Sequence, residues 1–218
     1  VNFDGKSLRG SANKADQQVS HIEGGKSAKH IVHAWCSELK LCIGQYEVAE
    51  KSNEIKAIPQ LLDLLDMSGC IVTIDAMGCQ RAITEQIVEK GADFVIGVKE
   101  NQPNLRKAIE TTFERIGGAR LAELSATHEN KGHSRIENRT CIVVGCEELP
   151  EEIRKLWPAV KSIVKLISIR KSKGSQDEFE SRFYISSCSV DAKQMGKYIR
   201  QHWSVENSLH WVLDVSFL

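Results

Sequence analysis

The stretch from Gly69 to Asn101 constrains this chain more than any other. It reads GCIVTIDAMG, then CQRAITEQIVEKG, then ADFVIGVKEN. The first and last pieces are short, nearly unbroken apolar runs bounded by glycine or polar residues, the pattern of strands buried on both faces. The middle piece places Ala82, Ile83, Ile87 and Val88 at helical spacing and stops at Gly91. Strand, helix and strand in succession call for an α/β sheet with helices packed on it. Asp75 closes the first run. In open α/β sheets, residues at the carboxyl ends of strands line the functional crevice, so Asp75 is a candidate for chemistry.

The flanking sequence extends this layout. VNFDG reads as a strand that turns at Gly5, followed by a polar loop, KSLRGSANKADQ. HIVHAWCSE and LCIGQYEVAE are two strand-like runs with a short link, which predicts a hairpin. Ser52 and Asn53 are placed to cap a helix carrying Ile55, Ile58, Leu61, Leu62 and Leu65, with Pro59 near its first turn and Gly69 as its end. A further helix is expected from about Pro103 to Ile116. The pattern then changes. RIENRTCIVV, VKSIVKLISIRK and EFESRFYISS read as antiparallel strands, giving a mostly β region over residues 118–190. From DAKQMG to the end the chain reads as one long helix with apolar Met195, Ile199, Trp203, Leu209 and Val212. There is no internal repeat and no low-complexity tract. The expectation is a single α/β domain spanning 1–218, with the β region inserted before the last helix.

Composition narrows the function classes. With 41% hydrophobic and 27% charged residues, the 218-residue chain is neither disordered nor collagen-like. No run approaches the roughly 18 apolar residues of a membrane helix. Lysine plus arginine and aspartate plus glutamate both number 29, so a nucleic-acid partner must be met by a local basic patch rather than by the overall field. The seven cysteines form no C-x-x-C pair and mostly sit in apolar runs, which fits a reduced, cytoplasmic protein. The chain shows no secretory leader, has no initiator methionine, and stops at SFL, so it reads as a segment of a longer protein.

Three carboxylates stand out. Asp4 and Asp75 each follow an apolar run, and Glu206 lies in a polar cluster on the C-terminal helix. If they converge, they form an all-oxygen donor set suited to two hard divalent cations such as magnesium or manganese. Two such ions about 3.5–4 Å apart activate an attacking oxygen and stabilise the leaving one in phosphodiester chemistry. Each aspartate alone is equally a turn former or helix cap, and spacing along the chain does not establish convergence. A second reading also stays open. His202, Glu206 and His210 are four apart on one helical face, a donor set for a transition metal such as zinc, although H-E-x-x-H is absent.

Five motifs carry a family resemblance: FDGKSLRGS around Asp4, TIDAMGCQ around Asp75, FVIGVKENQPNL, GHSRIENRT, and RQHWSVENSLHWVLDVSF around Glu206. In this order they resemble the H-repeat-associated (Rhs-linked) transposases of bacterial insertion sequences. These belong to the DDE superfamily, whose catalytic core is ribonuclease H-like. The resemblance spans Asp4 to Phe217. It implies an α/β fold with a ribonuclease H-like mixed sheet flanked by helices and a mainly β insertion before the last catalytic helix. It implies Asp4, Asp75 and Glu206 as catalytic, metal-holding residues, Mg2+ as cofactor with Mn2+ as substitute, and DNA (transposon ends and target) as partner. It further implies a homodimer of the full-length protein, in the bacterial cytoplasm at the nucleoid. Lys99, Asn101, Arg135, Arg139, Arg200, His202 and Asn207 become candidate DNA contacts. The Tyr-Arg-Glu-Lys signature of the wider superfamily is not kept: Ile199, His202 and Leu213 stand where its Tyr, Arg and Lys fall. Two other readings share these residues, an inactive DNA-binding remnant and a metal-dependent nuclease without strand transfer.

Overall fold

The computed structural model describes residues 1–8, 11, 28–48, 54–132, 135–172 and 176–216, without the side chains of residues 131, 132, 135 and 172. Ser52, Asn53, His133, Lys173 and most of the polar loop after Ser7 lie outside the described residues.

The described strands form one sheet. In chain order they are β1 (Asn2–Ser7), β2 (His30–Cys36), β3 (Leu41–Val48), β4 (Ile71–Ile74), β5 (Asp93–Val98), β6 (Ser125–Gly132), β7 (Arg135–Gly145), β8 (Ser162–Ser172) and β9 (Glu178–Ser186). Across the sheet the order is β3-β2-β1-β4-β5-β9-β8-β7-β6. β4 pairs parallel with β1 on one side and with β5 on the other. The remaining pairings are antiparallel, including the expected β2–β3 hairpin. The helices are α1 (Glu54–Leu64), α2 (Arg81–Glu89), α3 (Pro103–Arg115), α4 (Gly118–Glu123), α5 (Glu151–Leu156), α6 (Ala192–His202) and α7 (Trp211–Ser216).

The parallel strands are apolar throughout because both faces are covered. Phe94, Ile96 and Val98 of β5 join Phe3, Val72 and Ile74 in a large core with α1, α2 and α3. Val95, between them, points the other way into a smaller core with Cys141, Val143, Val164 and Leu166, closed by Met195 and Ile199 of α6. The mixed α/β sheet with helices on both faces is therefore the predicted one. The Gly91 stop after α2 also holds, with φ at +71°, where glycine is favoured.

Two expectations, the first and third below, need correction, and one strand, the second, carries no signal in the sequence. Gly5 does not end the first strand, because β1 runs on to Ser7. A Cβ on Gly5 would fall 2.2 Å from Glu54 Oε1 and 2.7 Å from His30 Nε2. The glycine is there for the close approach of α1 and β2, and Asp4 is mid-strand. Second, β6 is an edge strand of sequence SATHENKG with mostly exposed residues. It has no apolar alternation, and only its pairing with β7 makes it a strand. Third, the C-terminal helix is not uniform. A π-helical turn over Glu206–His210 separates α6 from α7. Its wider winding carries His210, five residues after Val205, back onto the buried face. Met195, Ile199, Val205 and His210 are buried, whereas Trp203 and Val212 are 38% and 42% exposed.

Gly5→Ala is expected to cost about 1–3 kcal/mol, the range for overpacking a filled interior. Urea denaturation of the variant beside the parent protein measures this; an unchanged midpoint would refute the close-packing account.

Candidate active site

Register along the parallel strands brings the two aspartates together. Asn2 pairs with Thr73 and Phe3 with Ile74; Asp4 is the next residue of β1, and Asp75 directly follows the end of β4. Side chains alternate along a strand, and Phe3 takes the face of the larger core. Asp4 therefore takes the opposite face, beneath the C-terminal helix. On that face lies a cavity of about 420 Å³ lined by Asp4, Asp75 and Glu206 among others. The three carboxylates thus line one cavity, but among the described residues no three acids approach closely enough to hold an ion.

The turn bearing Asp75 is braced from three directions. Asp75 Oδ1 accepts the Met77 N–H at 3.0 Å, so the residue is also the helix cap that its position allows. Asn101 Nδ2 donates to the Ala76 carbonyl at 2.6 Å, and Gln102 Nε2 to the Cys79 carbonyl at 2.8 Å. Gly97 lets β5 pass beneath, since a Cβ there would sit 3.2 Å from the Ala76 nitrogen.

Electrostatics show how tightly the carboxylates are coupled. Burial first, then the charges of Glu206 and Asp75, push the Asp4 carboxyl up to about 7, although it accepts the Gly5 N–H at 2.9 Å. His210 Nδ1 approaches Asp4 Oδ2 at 3.5 Å. The spacing is that of an ion pair, but burial, with His33 and Lys6 nearby, holds His210 down to about 4. At neutral pH the contact is therefore between a carboxyl and a neutral imidazole. His33, 5.3 Å from His210 between ring centroids, is also held down to about 4 by burial and by His30.

Each remaining candidate has a definite place. Thr73 Oγ1 donates its single proton to Asn2 Oδ1 at 2.8 Å, so His202 Nδ1, 2.9 Å from the same oxygen, must donate to it. His202 is thus a neutral ring lining the cavity, held down to about 4 by burial. Lys99 is exposed at the cavity rim, and Arg106, which also lines it, is bound to Glu100 and Glu110. Asn101 braces the Asp75 turn. Arg200 is exposed, and Asn207 donates to the Trp203 carbonyl at 3.0 Å. Arg139 is bound to Glu137 at 2.8 Å, and Arg170 holds the other carboxylate oxygen at 3.1 Å. The Arg135 side chain lies outside the described residues.

The zinc reading does not survive. The π turn splits the three residues: His202 turns to Thr73, His210 to Asp4 and His33, and Glu206 is exposed. Among the described residues, no group of three His, Cys, Asp or Glu side chains is close enough together to hold an ion. Sequence reasoning also missed residues here. Arg182 and Trp203 both line the cavity, with the guanidinium 4.7 Å from the ring centroid. Arg182 is 21 residues from Trp203 along the chain, and only the pairing of β9 with β5 brings them together. Asn2 and Thr73 could have been found, because each lies two residues before an aspartate and so shares its strand face.

Residues 2–218 match the family model of the transposase DDE domain. The chain belongs to the transposase DDE-domain family. Three relatives illustrate its neighbourhood. The "Putative transposase YncI" of Escherichia coli O157:H7 is 38% identical over 217 residues, 99% of this chain and 54% of the relative. The "H repeat-associated putative transposase YhhI" of Escherichia coli K12 is 38% identical over 227 residues, 99% and 56% respectively. An "Uncharacterized protein in dhlA 3'region" of Xanthobacter autotrophicus is 36% identical over 190 residues, 87% and 60%. This DDE domain thus spans little more than half the length of the curated relatives it matches, and the H-repeat resemblance holds. A solved structure, the piggyBac transposase synaptic complex with hairpin DNA, superposes with a TM-score of 0.51 at 13% identity. It covers 98% of this chain and 40% of that one, and at that identity it supports the fold alone: a ribonuclease H-like α/β sheet. No helix of the described residues is long and apolar enough to cross a membrane.

The raised Asp4 carboxyl gives a signed pH prediction. It shifts from an ordinary 3.8 to about 7, so the folded state keeps a proton that the unfolded chain releases. Its contribution to stability is fully present below about pH 4 and is lost as pH rises through about 7. His33, His202 and His210, lowered from 6.5 to about 4, act the other way and withdraw stability as pH falls through that window. Comparing Asp4→Asn with the parent at each pH cancels His33 and His202, leaving Asp4 and its neighbour His210. In metal-free buffer, the Tm of the variant minus that of the parent should rise between pH 4 and 7 and then level off. A flat difference by thermal melts would contradict this electrostatic account.

Proposed function

We propose that this DDE domain carries out metal-dependent phosphoryl transfer on DNA, with transposon-end cleavage followed by strand transfer. The observation that carries this reading is the register of β1 and β4. It sets Asp4 beside Asp75 across a parallel pair, in the cavity that Glu206 also lines. The donor chemistry fits a hard divalent cation: three carboxylates share one cavity, and the innermost is raised by burial and by repulsion from the other two. Among the described residues these side chains share the cavity without closing to ligating distance, as mutual repulsion between carboxylates favours. Asp4 and Asp75 are the residues that would hold both Mg2+ ions, with Mn2+ as substitute, and Glu206 would complete the second position. When bound, such ions supply an activated attacking oxygen and neutralise the charge developing on phosphate.

The protein's own part is orientation and charge. Asn101 and Gln102 keep the Asp75 carboxylate at the cavity mouth. Lys99 at the rim offers positive charge to a phosphate backbone, whereas Arg106 is already held by Glu100 and Glu110. Arg200 and Asn207, exposed on the outer surface of α6 and the π turn, extend that contact. Arg139 reaches a phosphate only by leaving Glu137, so it ranks below Lys99. Strands β6 to β9 and their connections, within 118–190, are read as an insertion into the core that widens the sheet and builds the far wall of the cavity through Glu180 to Tyr184. The full-length protein is proposed to act as a homodimer on paired ends, at the nucleoid.

Asp75→Asn should abolish Mn2+-dependent nicking of supercoiled plasmid while leaving the far-UV spectrum and Tm close to those of the parent. Retained nicking would sink the carboxylate assignment. A pre-cut 3′ end offered with target plasmid separates transposition from plain nuclease action, because only the former joins the two DNAs.

A further inference from the structure

Asn2, Asp4 and Lys6 share the β1 face that the C-terminal segment covers. That segment meets them in chain order. Asn2 Nδ2 donates to the Gln201 carbonyl at 2.9 Å and to Ser204 Oγ at 3.2 Å. Asp4 faces His210 at 3.5 Å, and Lys6 Nζ donates to Asp214 Oδ2 at 2.5 Å. Lys6 and Asp214 are largely shielded, with side chains 18% and 29% exposed, so their charge-assisted bond is stronger than an ordinary surface pair.

Among the described residues, the segment beyond the π turn adds little apolar docking of its own. No residue of α7 is buried, and Trp211, Val212 and Val215 are all more than 40% exposed. Apolar packing therefore fixes α6, through Met195, Ile199 and Val205, but does not fix α7. Glu206 sits at the junction, where the Trp211 N–H bonds the Glu206 carbonyl across the wide turn. Its rotation depends on what holds both sides of that turn.

We propose that the Lys6–Asp214 pair is a positioning device: it ties α7 to β1, sets the rotation of the π turn, and so keeps Glu206 on the cavity beside Asp4. The inference rests on the carboxylate reading above. Lys6 and Asp214 are positioning residues; neither is among the residues that line the cavity.

The test is Mn2+ affinity of the 218-residue chain, read from the electron paramagnetic resonance signal of free Mn2+, with Tm recorded in parallel. A purely electrostatic role predicts opposite signs. Asp214→Asn removes a negative charge that attracts the cation, and Lys6→Met removes a positive charge that repels it. A positioning role predicts that both weaken binding, by about tenfold as for other supports of metal ligands. The exchange Lys6→Asp with Asp214→Lys restores it, and neither single change weakens binding further once Glu206→Gln is present. Opposite signs, or losses that add fully to that of Glu206→Gln, overturn the proposal. If Glu206→Gln itself leaves Mn2+ affinity unchanged, the carboxylate reading falls and this inference with it. If Glu206→Gln weakens binding while both single variants bind like the parent, only this inference falls.

Discussion

The parallel pairing of β1 with β4 is the constraint on which the site depends. Parallel strands cannot be joined by a tight turn, so this pair forms only after the β2–β3 hairpin and α1 have carried the chain back across the sheet. Once formed, its register leaves no freedom: Phe3 opposite Ile74 makes Asp4 the neighbour of Asp75. A slip of one residue would turn Asp4 into the apolar core and Phe3 onto the polar face. Burial of Phe3, Val72 and Ile74 in the larger core therefore also fixes where the carboxylates go.

Around that pair the protein keeps charge close together at the expense of its own stability. Asp4 is buried, near two other carboxylates, and is pushed up to about 7. The histidines nearby do not relieve it, because burial keeps His33 and His210 neutral. Buried Nδ1 of His33 and Nε2 of His210 have no hydrogen-bond partner among the described residues. A buried acid pressed by other carboxylates and by neutral rings is costly as a fold element. Rigid support sits one layer out, in Asn101, Gln102, Thr73 and Asn2, which bond backbone and neighbouring side chains rather than one another's charges.

The two faces of the sheet divide the work. The face carrying α1, α2 and α3 holds most of the apolar core, and the opposite face holds the smaller core and the cavity. The C-terminal helix belongs to both tasks, packing through α6 and presenting Glu206 from the π turn that follows. A π turn in a helix otherwise wound as α is a local strain commonly found at functional sites. Here it allows Val205 and His210 to be buried together while Glu206 stays at the surface of the cavity.

Local pattern in the sequence determined the apolar strands β4 and β5, the amphipathic α2 between them, the β2–β3 hairpin and the stop at Gly91, because each follows from spacing over a few residues. It also singled out Asp4, Asp75 and Glu206 through family motifs. Only the tertiary structure decided what depends on partners distant in the chain. Gly5 reads as a turn residue until Glu54 and His30 pack against it. β6 is a strand only because β7 pairs with it. Arg139 reads as a free cation until Glu137 binds it, sharing that carboxylate with Arg170. The even face of His202, Glu206 and His210 assumes an unbroken α-helix, and the π turn breaks it. Periodicity records how a segment wants to bury itself; it carries no record of which charge, backbone or helix will arrive from the other side of the sheet.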